Sequence, residues 1–267
     1  MNMTNKQPIG VFDSGIGGLS VLRELTDLLP QQDFIYVSDS QYAPYGLKTT
    51  EQVWQRCCVI VDFLLKQKVQ AIVIACNTAT VAVIDRLRLT YDIPFVGIEP
   101  AVKPALNDLA RPHVAVLATH NTINSNRLNK LVASYSQQHS QVSYLVCNGW
   151  VELVEQGVDK SVSSRIVKST LQSLIVDKPD TLVLACTHYP FLQNEIAACF
   201  DYPVHIIEPG KAVAKRVQDL LKITADPVNQ TEGEVTYFTS GSVELTQRNI
   251  ARLLGKDSQV HTLNQFG

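Results

Sequence analysis

Ile72-Val73-Ile74-Ala75-Cys76-Asn77-Thr78-Ala79 decides the fold, and its logic returns 110 positions later as Leu182-Val183-Leu184-Ala185-Cys186-Thr187-His188-Tyr189. Each begins with an apolar run containing β-branched residues, which reads as a strand buried on both faces, as in a parallel sheet. A thiol and a Thr-bearing turn come next at the carboxyl end, where open parallel sheets bind their ligands. If the two segments belong to duplicated halves, the thiols can approach one small molecule from opposite sides. Opposed acid/base groups are what inversion of a stereocentre needs.

Outward from the first segment the elements alternate. Residues 8–12 read as a strand, followed by a Gly-rich turn and an amphipathic helix through Leu19, Leu22, Leu25, Leu28 and Leu29. A strand over 34–38 and a helix over 51–66, capped by Thr49 or Thr50, precede the strand ending at Cys76, and a helix over 80–90 comes after it. Such alternation predicts α/β architecture with helices on both faces of a mainly parallel sheet.

The pattern then restarts. Val114-Ala115-Val116-Leu117-Ala118-Thr119 echoes Ile9-Gly10-Val11-Phe12-Asp13-Ser14, and Tyr144-Leu145-Val146-Cys147 echoes Tyr36-Val37-Ser38-Asp39. Gly97-Ile98-Glu99-Pro100-Ala101 returns as Ile206-Ile207-Glu208-Pro209-Gly210. With the cysteine segments, that makes four echoes in order, at shifts of 105 to 110. The reading is two pseudo-symmetric doubly wound domains with the active site in the cleft between them. The Glu-Pro elements are natural crossing points, because the residue before proline is pushed to extended geometry. The tail, a strand over 234–239 and a helix over 243–254, would then rejoin the first half. The domains are predicted as 1–98 plus 210–267, and 99–209.

A chain of 267 residues is long enough for two cores. Its 45% hydrophobic and 18% charged composition argues against disorder. With 23 basic against 25 acidic residues and no basic block, nothing points to nucleic acid or an anionic membrane. The polar start Met1-Asn2-Met3-Thr4-Asn5-Lys6-Gln7 has no secretion-signal core, and the apolar runs are too short to span a bilayer, so a cytoplasmic location is expected. Six cysteines (57, 58, 76, 147, 186 and 199) in such a chain read as free thiols, and no metal site is expected, since Cys186-x-His188 alone is a weak zinc signal.

Cys57, Cys58 and Cys199 lie in helical apolar patterns and read as small buried hydrophobes. Cys76 and Cys186 each sit between a strand and a polar turn, with a helix starting shortly after. A helix amino terminus or a cation lowers a thiol pKa, and both sites are expected to use this. In Asp13-Ser14-Gly15-Ile16-Gly17-Gly18 the glycines suit either backbone approach to a carboxylate or simply a tight turn. Asp13 and Ser14 read as a hydrogen-bonding, proton-relaying pair. Thr119-His120-Asn121-Thr122 suits carboxylate binding or an ordinary helix cap, and His188 either assists proton transfer or is a satisfied structural imidazole.

These blocks, together with Pro44-Tyr45-Gly46, Cys186-Thr187-His188-Tyr189-Pro190 and Tyr237-Phe238-Thr239-Ser240-Gly241, resemble the signature of the glutamate racemases within the aspartate/glutamate racemase family. The His-Tyr-Pro after Cys186 favours glutamate over aspartate. The resemblance implies an isomerase that interconverts L- and D-glutamate without pyridoxal phosphate, other cofactor or metal. Cys76 would act on the D-enantiomer and Cys186 on the L-enantiomer, assisted by Asp13 and His188, with Asp39 and Glu155 as further acidic positions. Asp13, Ser14, Pro44, Tyr45, Gly46, Cys76, Asn77, Thr78, Thr119, Thr122, Cys186, Thr187 and His188 would hold the substrate. Cys147-Asn148-Gly149-Trp150 departs from the family's usual Cys-Pro, which leaves Glu152 as the alternative to Glu155. Asp39 stands in Ser-Asp-Ser where Gly-Asp-Thr is commoner. The family supplies D-glutamate for the bacterial cell wall and so bears on peptidoglycan synthesis and cell shape; the resemblance leaves a homodimer open.

Two rivals stand beside this. One is a cysteine hydrolase with Cys186 as nucleophile and His188 as base, although residues two apart on a turn rarely have that geometry and Cys76 is left unexplained. The other is a non-enzymatic small-molecule sensor.

Overall fold

The computed structural model describes residues 7–107, 112–223 and 231–263. The chain divides into two compact units, one built from its described residues up to Ile98 and from Gly210 onward, the other from Glu99–Pro209. In the first unit, β1 (Ile9–Asp13), β2 (Phe34–Ser38), β3 (Ala71–Ile74) and β4 (Phe95–Gly97) are joined by α1 (Leu19–Leu28), α2 (Thr50–Lys66) and α3 (Asn77–Thr90). The second unit carries β5 (His113–Ala118), β6 (Gln141–Val146), β7 (Thr181–Ala185) and β8 (His205–Ile207). After it come β9 (Val235–Thr239) and β10 (Val260–Thr262), which return to the first sheet.

The strand orders are β10-β9-β2-β1-β3-β4 and β6-β5-β7-β8, and the pairings are parallel. The second order repeats β2-β1-β3-β4 of the first, and the repetition extends to register. Ile9 pairs with Phe34 and Ala71, and Val114 pairs with Val142 and Thr181. The last strands differ: Ile72 pairs with Phe95 and Leu182 with Ile206, a displacement of 206 − 95 = 111 where the two Glu-Pro elements are 109 apart. The Glu-Pro echo is therefore offset by two residues from strict equivalence. Because side chains alternate with period 2, that offset keeps the same faces.

β1, β2, β3 and β7 are buried along their whole length, as continuous apolar runs in a two-sided sheet require. α2 starts with a capping box in which Thr49 Oγ1 accepts from the Gln52 N–H at 3.2 Å and Gln52 Oε1 accepts from the Thr49 N–H at 2.9 Å, so Thr49 is the cap. In α1 Leu19, Leu22 and Leu25 face the core, but Leu28 is 39% exposed. Nine positions past Leu19 is two and a half turns, which puts Leu28 on the far face. The helix expected from residue 80 starts three residues earlier, because Cys76 itself occupies the cap position. β10 carries no alternating signal long enough to be read from sequence. No described helix is long and apolar enough to cross a membrane.

Candidate active site

In the first unit, β3 delivers Cys76 to the amino terminus of α3, where the Ala79 N–H donates to Sγ at 3.4 Å. β1 lies beside β3 and ends at Asp13. The Cys76 thiol donates to Ser14 Oγ at 3.6 Å, and Ser14 Oγ donates to Asp13 Oδ1 at 3.4 Å, so thiol, hydroxyl and carboxylate form a line along which a proton can move. Asp13 is fixed from the other side by the Gly18 N–H, 2.7 Å from Oδ2. A Cβ at position 18 would lie 2.7 Å from Asp13 Cβ and 2.9 Å from the Tyr36 hydroxyl, which makes glycine the residue that fits. The Tyr36 hydroxyl in turn donates to the Gly15 carbonyl at 2.8 Å and ties down the glycine turn.

Cys76 departs from the expected lowered pKa. Burial raises its thiol well above the ordinary value and the Asp13 charge adds to this; hydrogen bonds from the Ala79 N–H and Ser14 only partly offset them. The helix terminus acts in the expected direction, but desolvation outweighs it. Next to Cys76, Asn77 is 2% exposed and neither its carboxamide oxygen nor its nitrogen has a hydrogen-bond partner among the described residues. Burying an unpaired amide costs about 1–3 kcal/mol, and such a group at a strand's carboxyl end suits an external polar ligand. Thr78 is buried alongside.

Asp39, at the end of β2, is fully buried and fully engaged. Arg56 Nε and Nη2 donate to its two oxygens at 3.0 and 2.8 Å, and the Tyr45 hydroxyl donates to Oδ2 at 2.6 Å. Arg56 also stacks on Tyr42, 3.7 Å from the ring centroid. This cluster holds the segment carrying Pro44, Tyr45 and Gly46, in which Tyr45 and Gly46 are buried.

In the second unit Cys186 comes directly after β7 and is 7% exposed. The next element is a four-residue 3-10 turn, Tyr189–Leu192, rather than a helix that begins at the thiol, so the neighbour of the sulfur is a side chain. His188 Nδ1 lies 3.8 Å from Sγ, and Nε2 lies 2.8 Å from Glu155 Oε1. Burial alone would depress the imidazole, yet its hydrogen bonds to Cys186 and Glu155 and their charges lift its pKa well above the usual value. Two residues' separation does bring this thiol and imidazole together, against the expectation that such spacing seldom does. Glu155, not Glu152, reaches His188. It rides on helix Trp150–Gln156, whose cap Gly149 has φ 80°, a conformation glycine adopts readily. Thr119 and Thr122 hydroxyls are 3.1 Å apart after β5, Thr122 is fully buried, and Thr187 is buried beside Cys186.

A family model for Asp/Glu/Hydantoin racemase matches residues 9–217. The chain belongs to the Asp/Glu/Hydantoin racemase family. The racemase is similar to the glutamate racemase of Ectopseudomonas mendocina, with 39% identity across 96% of this chain and 98% of the relative. Among solved structures it is similar to glutamate racemase isoform RacE1 from Bacillus anthracis, with TM-score 0.86 and 32% identity over 96% of this chain and 97% of that one. It is also similar to Escherichia coli glutamate racemase in complex with L-glutamate and the activator UDP-MurNAc-ala, with TM-score 0.84 and 31% identity over 96% and 98% of the two chains. The racemase is therefore an isomerase that groups with the glutamate racemases, and its mixed α/β fold is theirs.

Three residues around the racemase's thiols escaped the reading of the sequence as site residues. Arg56 carried no motif, since only the fold brings it to Asp39. Cys147 was legible in principle, for the repeat gives it the position in the second half that corresponds to Asp39 in the first; it is buried in the second unit and feels the charge of Cys186. Tyr189 stood within a quoted block and is fully buried, its hydroxyl 3.4 Å from the Cys147 carbonyl.

Proposed function

We propose that this racemase interconverts L- and D-glutamate by a cofactor-independent two-base reaction, with Cys76 and Cys186 acting on opposite faces of the α-carbon. The observation that supports it best is the pairing of each thiol, at the end of an equivalent strand, with its own proton-handling partners: Ser14 and Asp13 for Cys76, His188 and Glu155 for Cys186. On this reading Cys186 takes the α-proton from L-glutamate while Cys76 donates, and the roles exchange for D-glutamate. Asp13 and His188 assist, Glu155 orients His188, and Asp39 acts through the Tyr45 segment.

Removing a proton next to a carboxylate is hard because the resulting carbanion lacks a good electron sink. The Ser14, Asn77, Thr78, Thr119, Thr122 and Thr187 side chains and the Pro44-Tyr45-Gly46 backbone would hold the substrate's ammonium and carboxylates and stabilise the developing enolate-like charge. The unpaired Asn77 carboxamide is the clearest of these positions. The product would serve cytoplasmic peptidoglycan synthesis and thereby cell shape.

Because the two thiols must start in opposite protonation states, the rate should follow a bell-shaped pH profile. Cys76→Ala and Cys186→Ala should each abolish racemisation, measured by circular dichroism of L-glutamate without added cofactor, with α-deuterium incorporation in deuterated water as the second readout. A variant that keeps near-normal racemisation would end the two-base scheme. The Cys186-His188-Glu155 constellation also has the arrangement of an acyl-transfer triad; that reading gives Cys76, Ser14 and Asp13 nothing to do, and it predicts an acyl-enzyme burst on an amide substrate.

A further inference from the structure

We propose that Arg56 is a positioning residue for the substrate: its guanidinium grips the chain at Asp39, at Tyr42 and, through Asp39, at Tyr45, and so holds the Pro44-Tyr45-Gly46 backbone in the arrangement that receives glutamate. The inference rests on the reading above, in which that backbone binds the substrate. Between Ser38, where β2 ends, and Thr50, where α2 begins, the chain makes two three-residue 3-10 turns, Ser40–Tyr42 and Tyr45–Leu47. Two of their backbone bonds are long, from the Ala43 N–H to the Ser40 carbonyl at 3.3 Å and from the Leu47 N–H to the Pro44 carbonyl at 3.4 Å. The segment therefore leans on side chains for its order.

One side chain from α2 supplies that order. Arg56 Nε and Nη2 fork onto the two Asp39 oxygens at 3.0 and 2.8 Å, and the guanidinium carbon sits over the Tyr42 ring, 3.7 Å from its centroid. The Tyr45 hydroxyl completes the grip by donating to Asp39 Oδ2 at 2.6 Å. Tyr45 shares a buried apolar cluster with Val53 and Cys57 of α2 and with Cys76 and Ala79, and its turn packs against α3, the helix that opens at Cys76. What Arg56 fixes is thus the wall beside the first thiol. The second unit shows that the fold itself does not require an ion pair here. Cys147 takes the position that corresponds to Asp39, and there a buried neutral thiol donates to the Leu145 carbonyl at 3.7 Å. A buried charge pair is costly to desolvate and adds little net stability, so its use lies in fixing one arrangement of the groups it joins.

Arg56→Lys keeps a charge beside Asp39, but a compact ammonium cannot fork onto both oxygens while lying over Tyr42. Tyr42→Ala leaves the ion pair and removes the ring beneath it. The test is steady-state racemisation of L- and D-glutamate by both variants, with thermal unfolding of the same preparations. KM for both enantiomers should rise about tenfold in Arg56→Lys, the equivalent of about 1.4 kcal/mol, and about threefold in Tyr42→Ala, with kcat within about twofold of wild type. A purely structural role has another signature, because unfolded molecules lower the active fraction and hence the apparent kcat without moving KM. A wild-type KM in either variant, or a loss confined to kcat, would overturn the inference. Cys76→Ala separates the two levels: if it still racemises, the two-thiol reading falls, and if it is inactive while Arg56→Lys has the wild-type KM, only the role of Arg56 falls.

Discussion

Glu155→Gln isolates one contact, the 2.8 Å bond between a carboxylate and His188 Nε2. The imidazole is 2% exposed and the carboxylate side chain 16%, so solvent screens the pair weakly. A charged hydrogen bond of this kind contributes about 1.5–3 kcal/mol. At about 1.4 kcal/mol per pKa unit, its loss should lower the His188 pKa by about 1–2 units. The folded-state pKa of His188 is raised, so the bond's stabilising effect is fully present below the unfolded imidazole value near ~6.5 and fades as pH rises through the folded value. The variant should therefore be most destabilised near pH 5–6, where carboxylates remain ionised, by about 3–10 °C in unfolding midpoint. The deficit should shrink in alkaline solution. Nuclear magnetic resonance titration of the labelled imidazole, with unfolding scans across pH, measures both quantities. An unchanged His188 titration, or a deficit that grows with pH, would refute the reasoning.

Asp39→Ala should cost about 3–5 kcal/mol in chemical denaturation, since it strands the Arg56 guanidinium and the Tyr45 hydroxyl; Arg56 is 18% exposed, which favours the lower end. Asp39→Asn should recover part of the loss, and a variant as stable as wild type would show that the cluster carries no weight. Asn77→Ala should leave stability unchanged or raise it by about 1 kcal/mol, because the deleted carboxamide is unpaired. Steady-state kinetics of the same variant should give a higher KM for glutamate, and a stability loss with unaltered KM would mean the amide serves the fold.

Much of the frame was legible in residues close together in the chain. Apolar runs over 72–75 and 182–185 specify buried strands, and the turns after them specify where the strands stop. The order of the echoes anticipated the repeated strand order, because each echo carries its own local pattern. Legibility ended where a short element lacked periodicity, as in β10, or where a helix began at a residue that is rarely a cap, as at Cys76.

The sequence by itself determined that two thiols stand at corresponding strand ends, each leading into a polar turn, since period and turn chemistry are written within a few residues. Only the tertiary structure decided what each sulfur meets. Ser14 reaches Cys76 across 62 positions and Glu155 reaches His188 across 33. Asp39 is taken up by Arg56 and Tyr45, and Asn77 is left without a partner among the described residues. The same holds for the Cys76 thiol, raised where its place at a helix start suggested the reverse. Desolvation and hydrogen bonding depend on what surrounds an atom from every direction, and distant segments supply most of those surroundings.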